Sequence, residues 1–187
     1  MYRQIIYKCC LLLSTFIFTS YIKDTNIYQT TTGNIDFKSV AKLEVIKASS
    51  HELVGIIDIN KLSFSFSVNM RSFKGFNSPL QQEHFYEKYI ETDIFPTATY
   101  KGKIIEEIDL SKNGTYTIRT KGSFLLHGVK QERIIKSDII VKDGKLTVTC
   151  SFKILLSDYN IPIPKVVNQK LANEISVTVN AVLFPRQ

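Results

Sequence analysis

Between Leu62 and Met70, five apolar residues (Leu62, Phe64, Phe66, Val68 and Met70) alternate with Ser63, Ser65, Ser67 and Asn69. Successive side chains of a strand leave on opposite faces, so this segment has one apolar and one wetted face. An apolar sheet face must be covered, and the same alternation returns in Ala98–Ile104, Tyr116–Leu126, Leu146–Ile154 and Ile175–Leu183. The economical solution is an all-β fold, an antiparallel sheet closed into a barrel with an apolar inner wall and carrying one or two short helices. A flat two-layer sandwich is the structural alternative.

The first twenty residues stand apart. Arg3 and Lys8 precede the apolar run Cys9–Phe18, and no acidic residue occurs before Asp24. That is the pattern of a secretory signal peptide over residues 1–20, its apolar run well short of the about 20 residues a membrane-spanning helix needs. The mature chain is expected to start near Tyr21, to be exported to a periplasmic or extracellular space, and to carry no stable membrane span. Residues 21–32, polar and Thr-rich, read as a flexible lead-in, and residues 33–187 as one domain.

Without the signal, Cys150 is the only cysteine, so the fold rests on its core and not on a disulfide. The chain is long enough for one, at 187 residues of which 44% are hydrophobic and 22% charged. With Arg3 and Lys8 removed, 22 basic residues stand against 17 acidic ones, a net +5. The lysines are scattered singly along alternating strands, as on solvated sheet faces, so no nucleic-acid partner is expected.

Local signals punctuate the strands. Ser78-Pro79-Leu80-Gln81 predicts a helix with a serine cap, proline in its first position and a glutamine completing a capping box. It is predicted to run to about Tyr89, with Leu80, His84, Phe85 and Tyr89 in a stripe that closes one end of the barrel. Asn113-Gly114, His127-Gly128 and Asp143-Gly144 predict turns between strands, and a short helical piece near Lys165–Ala172 leads to the last strand.

Four segments carry a family likeness. They are Phe64–Met70; Ser78–Tyr89 with Phe95–Tyr100; Gly122-Ser123-Phe124-Leu125-Leu126-His127-Gly128-Val129; and Asp158-Tyr159-Asn160-Ile161. In this order and spacing the chain resembles the YceI-like domain family over roughly residues 33–183. The resemblance implies an extended lipocalin-like β-barrel, exported in bacteria, whose elongated interior holds a polyisoprenoid chain in some members. One departure is Asn160, where an Asp-Tyr-Gly-Ile type segment has glycine; asparagine suits the same turn.

The candidate ligand wall is Phe64, Phe66, Val68, Met70, Tyr100, Phe124, Leu126 and Phe152, with Phe85 and Tyr89 added from the helix. The same side chains also suit a barrel packed solid. The leading expectation is an exported, non-enzymatic binding protein for a polyisoprenoid or other long-chain lipid. Arg71–Asn77 and the following helix are the expected lid, with Gly75 supplying flexibility. The alternative is an interaction module binding a protein, glycan or nucleic acid through its outer surface. No catalytic residue, cofactor or metal is expected. His51, His84 and His127 lack metal-ligand spacing, and hydrolase-elbow and phosphate-loop motifs are absent. Of these, His127 is the one candidate for proton transfer, and reads better as a hydrogen-bonded turn residue. Cys150 reads as a buried small hydrophobe.

Overall fold

Eight strands close on themselves in chain order, every neighbouring pair antiparallel. They are β1 (Ile27–Val40), β2 (Val45–Asp58), β3 (Ser63–Asn69), β4 (Thr97–Ile104), β5 (Gly114–Leu126), β6 (Val129–Lys142), β7 (Lys145–Leu155) and β8 (Glu174–Pro185). β1 pairs with β8, from Tyr28 opposite Pro185 to Ser39 opposite Ile175, which closes the barrel. This computed structural model describes residues 26–186; the expected signal peptide lies outside them.

The inner wall follows the period-two pattern. Ile118, Ile139, Leu146, Ala181 and Leu183 are each at most 2% exposed, while the intervening lysines and threonines of these strands face outward or lie half-buried. The alternation of Leu62–Met70 outlasts its strand, however. Leu62 sits in a left-handed turn at φ 50° and Met70 opens a 3-10 turn, and both still point their side chains at the core.

β1 begins within the expected lead-in, so residues 27–32 are strand and not flexible linker. Tyr28 and Thr30 are buried, and a register shift between Thr30 and Gly33 brings Gly33 onto the buried side. Threonine is at once polar and a good strand former, and the shift breaks the alternation, so this stretch shows no readable period.

The turns divide similarly. His127-Gly128 and Asp143-Gly144 are two-residue hairpin loops, all four residues at positive φ. Asn113-Gly114 is not such a turn. β4 ends at Ile104, residues 105–113 form a loop, and Gly114 already belongs to β5. The loop is shaped by Asp109, which accepts hydrogen bonds from the Ser111 amide and hydroxyl, and by Leu110, 1% exposed at the foot of the core. Bonds from Ser111 and the nearby Lys112 hold the Asp109 carboxyl down at about 2.

The opposite end of the barrel is capped by residues 70–96. α1 (Pro79–His84) starts as predicted, with the Ser78 hydroxyl accepting from the Gln81 amide at 3.2 Å. The return bond from Gln81 goes one residue earlier than a standard capping box, to the Asn77 amide at 3.1 Å. α1 stops at His84, short of Tyr89. Phe85–Tyr89 form a widened π-type turn in which the Ile90 amide donates to the Phe85 carbonyl at 3.0 Å. The widening turns Phe85 and Tyr89 over the barrel mouth and lets the Tyr86 hydroxyl reach the carbonyls of Arg71 and Phe73. Lys165–Val167 is a single 3-10 turn and not a longer helical piece.

Candidate functional site

The barrel interior is divided into two lobes. One, walled by residues of all eight strands, encloses a cavity of about 100 Å³; the other, beneath the cap, encloses about 120 Å³. They share a waist formed by Ile35, Val68, Ala98, Phe124 and Phe152.

Each of the ten residues singled out in the sequence lines one lobe or both. Phe64, Phe66 and Tyr100 line the first; Met70, Phe85, Tyr89 and Leu126 line the second; Val68, Phe124 and Phe152 belong to the waist. Aromatic rings join them: Phe64 to Tyr100 at 4.8 Å between centroids, Tyr100 to Phe124 at 6.1 Å and Phe124 to Phe152 at 5.9 Å. Such contacts supply apolar surface with few polar anchors. Leu80 is the exception in the predicted helix stripe, being 59% exposed.

Three aromatics of the second lobe were not foreseen. Phe37 stacks on Phe85 at 5.3 Å, while Phe73 and Phe76 approach Phe85 at 6.0 and 5.0 Å. Phe73 and Phe76 fall in a segment without strand or helix period, and Phe37 lies on β1. The expected lid is also less free than its sequence implies. Lys74 is bonded to Ser49 of β2 in both directions at 2.8 Å, and Tyr86 accepts from Lys74 and Gln82. Freedom begins only at Gly75, at φ 90° with no atom near the position of a Cβ.

Polar groups on the inner wall are mostly satisfied. The Tyr100 hydroxyl donates to the Thr120 carbonyl at 3.0 Å, and burial pushes its pKa above that of an ordinary phenol. Burial also raises the Cys150 thiol from 9.0 to about 11, offset in part by a Ser137 hydrogen bond. Two consequences follow from the Cys150 shift. A maleimide or disulfide reagent is expected to label the native thiol far more slowly at pH 8 than the unfolded one. Because the raised value favours the protonated native state, its stabilising contribution is intact below pH 9 and lost as pH rises towards 11. A pH series of urea midpoints, compared with Cys150→Ser, reads this directly.

His127 ties three segments together. Its Nδ1 donates to the Tyr159 carbonyl at 2.9 Å, Nε2 meets the Glu91 carboxylate at 2.8 Å, and Phe95 packs against the ring at 4.6 Å. It therefore pins the β5–β6 turn to the cap and to the β7–β8 loop. Glu91 lies beyond the helix, at φ 51°. Glu106 ties to Arg119 at 2.8 Å, and Glu107 is exposed. Asn160 occupies the left-handed position that ends the 3-10 turn Leu156–Tyr159, as its sequence context predicted. Among the described residues no group of three or more His, Cys, Asp or Glu is placed to hold a metal ion, and no helix is long and apolar enough to cross a membrane.

The family model of the YceI-like domain matches residues 16–183. The chain belongs to the YceI-like domain family. Solved structures share the fold of this YceI-like domain at low identity. A polyisoprenoid-binding domain from Saccharophagus degradans, implicated in plant cell wall breakdown, is 14% identical with a TM-score of 0.73, over 87% of this chain and 99% of that one. Burkholderia cenocepacia BcnA is 12% identical with a TM-score of 0.66, over 81% and 95%. The Campylobacter jejuni YCEI protein is 16% identical with a TM-score of 0.55, over 84% and 86%. No curated protein matches the YceI-like domain described here.

Proposed function

We propose that this YceI-like domain is an exported, non-enzymatic carrier that buries the chain of a polyisoprenoid or fatty-acid-like lipid in its barrel. The observation that carries this reading is the two-lobed interior, walled by aromatic and aliphatic side chains and joined at the Phe124 and Phe152 waist. A barrel acting only through its outer surface has no use for that space. Burying a chain there contributes about 0.8 kcal/mol per CH₂, enough for tight binding from length alone. A non-catalytic role is supported by the Cys150 thiol, pushed up to about 11, and by His127, engaged at both ring nitrogens. The similarity to a polyisoprenoid-binding domain supports a prenyl chain as the first class to try.

Isothermal titration of delipidated protein with a series of prenyl alcohols tests the reading. Affinity is expected to rise with chain length until the lobes are filled. A flat series, or no heat with any member, contradicts it.

A further inference from the structure

The barrel wall is not uniformly laced. β5 and β6 pair over the whole of β5, Gly114–Leu126, and β7 and β8 pair from Leu146 to Leu155. Between β6 and β7, however, the ladder covers only Ser137–Lys142 against Cys150–Lys145. Val129–Lys136 and Ser151–Leu155 therefore face each other without strand pairing, leaving half the seam open to side-chain chemistry.

Arg133 bridges that gap. By parity it shares the inward side of β6 with Ile135, Ser137 and Ile139, all buried, an unusual place for a cation. Its guanidinium reaches across to donate to the Lys153 carbonyl at 2.6 Å. Among the described residues it has no ion-pair partner, whereas neighbouring Lys153 is taken by Glu174 at 2.5 Å. Beyond the Lys153 carbonyl and the Tyr159 hydroxyl, no other acceptor among the described residues bonds the guanidinium, which leaves most of its five N–H donors available.

Tyr159 lies beside it, 0% exposed, with its hydroxyl against the Arg133 side chain, which bonds to it. The Arg133 charge acts on both Tyr159 and Tyr100, opposing the burial that raises them. The outer groove at this seam is lined by Arg133, Asp158, Phe152 and the Lys153–Glu174 ion pair among others, and Phe152 is also a waist residue of both lobes. One side chain thus separates the apolar interior from the polar seam.

We propose that the unpaired half of the β6–β7 seam is a headgroup site, where the Arg133 guanidinium receives the phosphate or carboxylate of an amphipathic lipid. Its chain passes Phe152 into the lobes, so the inference rests on the lipid-carrier reading above. Arg133 matches the two-oxygen geometry of such anions, which a lysine does not. Asp158 in the same groove disfavours a bare anion that brings no apolar chain.

Geranylgeranyl phosphate and geranylgeraniol, equal in chain, separate the two readings. The wild type is expected to bind the phosphate at least about tenfold more tightly, the scale of a charge-assisted hydrogen bond. Arg133→Gln removes that preference and leaves geranylgeraniol affinity unchanged. In the wild type alone, raising the salt concentration narrows the preference, because the seam is part-exposed. Equal affinity of the wild type for both compounds at low salt overturns the headgroup site while leaving the carrier reading intact. A preference that survives in folded Arg133→Gln also overturns it. Binding of neither compound overturns both readings.

Discussion

Phe66→Asp is expected to abolish uptake of a prenyl or acyl chain in a protein that still folds. Phe66 lines the first lobe, lies 6.2 Å from Phe64 between ring centroids, and covers Gly55, where a Cβ would meet its ring at 2.2 Å. Replacing that ring with a carboxylate removes apolar wall and sets a charge against the bound chain. An unpaired charge in such surroundings costs several kcal/mol, more than a few methylene groups of ligand return. Phe66→Leu serves as the control and is expected to keep uptake, with a modest loss of affinity. Circular dichroism establishes that the aspartate variant is folded. Retained uptake by the folded variant removes Phe66 from the ligand wall.

The largest effect on stability is expected at Gly102 and Gly122, which face each other across β4 and β5. A Cβ on Gly102 would lie 2.1 Å from the Lys121 carbonyl oxygen and 2.5 Å from the Gly122 Cα; one on Gly122 would lie 2.3 Å from the Lys101 carbonyl oxygen. These obstacles are backbone, which cannot rotate away as a side chain can. Gly102→Ala is therefore expected to cost about 3 kcal/mol or more, at the upper end of overpacking effects. Gly144→Ala has no atom within 4 Å of its Cβ and meets only the strain of φ 69°, about 1–2 kcal/mol. Urea midpoints of the two variants should rank in that order. Equal midpoints would show that the β4–β5 wall is soft enough to spread.

Most of the barrel was legible because its inner wall obeys one period. Phe64, Phe66 and Val68, and the inward residues of β5, β7 and β8, could be assigned to a face from parity alone. What escaped was set by interactions that parity does not encode. The β1 register shift hid the start of the first strand, and burial of Leu110 replaced a tight turn at Asn113-Gly114 by a loop. The widened turn after His84 shortened the helix. The interior residues were nameable, but Phe73 and Phe76 belong to an irregular segment whose inward direction depends on the Lys74–Ser49 bridge and on Tyr86. The β6–β7 seam was invisible for another reason: Val129–Val141 alternates as a strand whether or not it has a partner on both sides. Arg133 at an inward position was an irregularity in that strand, as were Gln131 and Ser137 on the same parity.

The central claim is that the lobes hold a long apolar chain. Native mass spectrometry of the protein purified from its own host, followed by organic extraction, tests it most directly. The account predicts a stoichiometric mass increment that is released on unfolding and recovered as a prenyl or acyl lipid. A clean apo mass that persists after incubation with host lipids would contradict it.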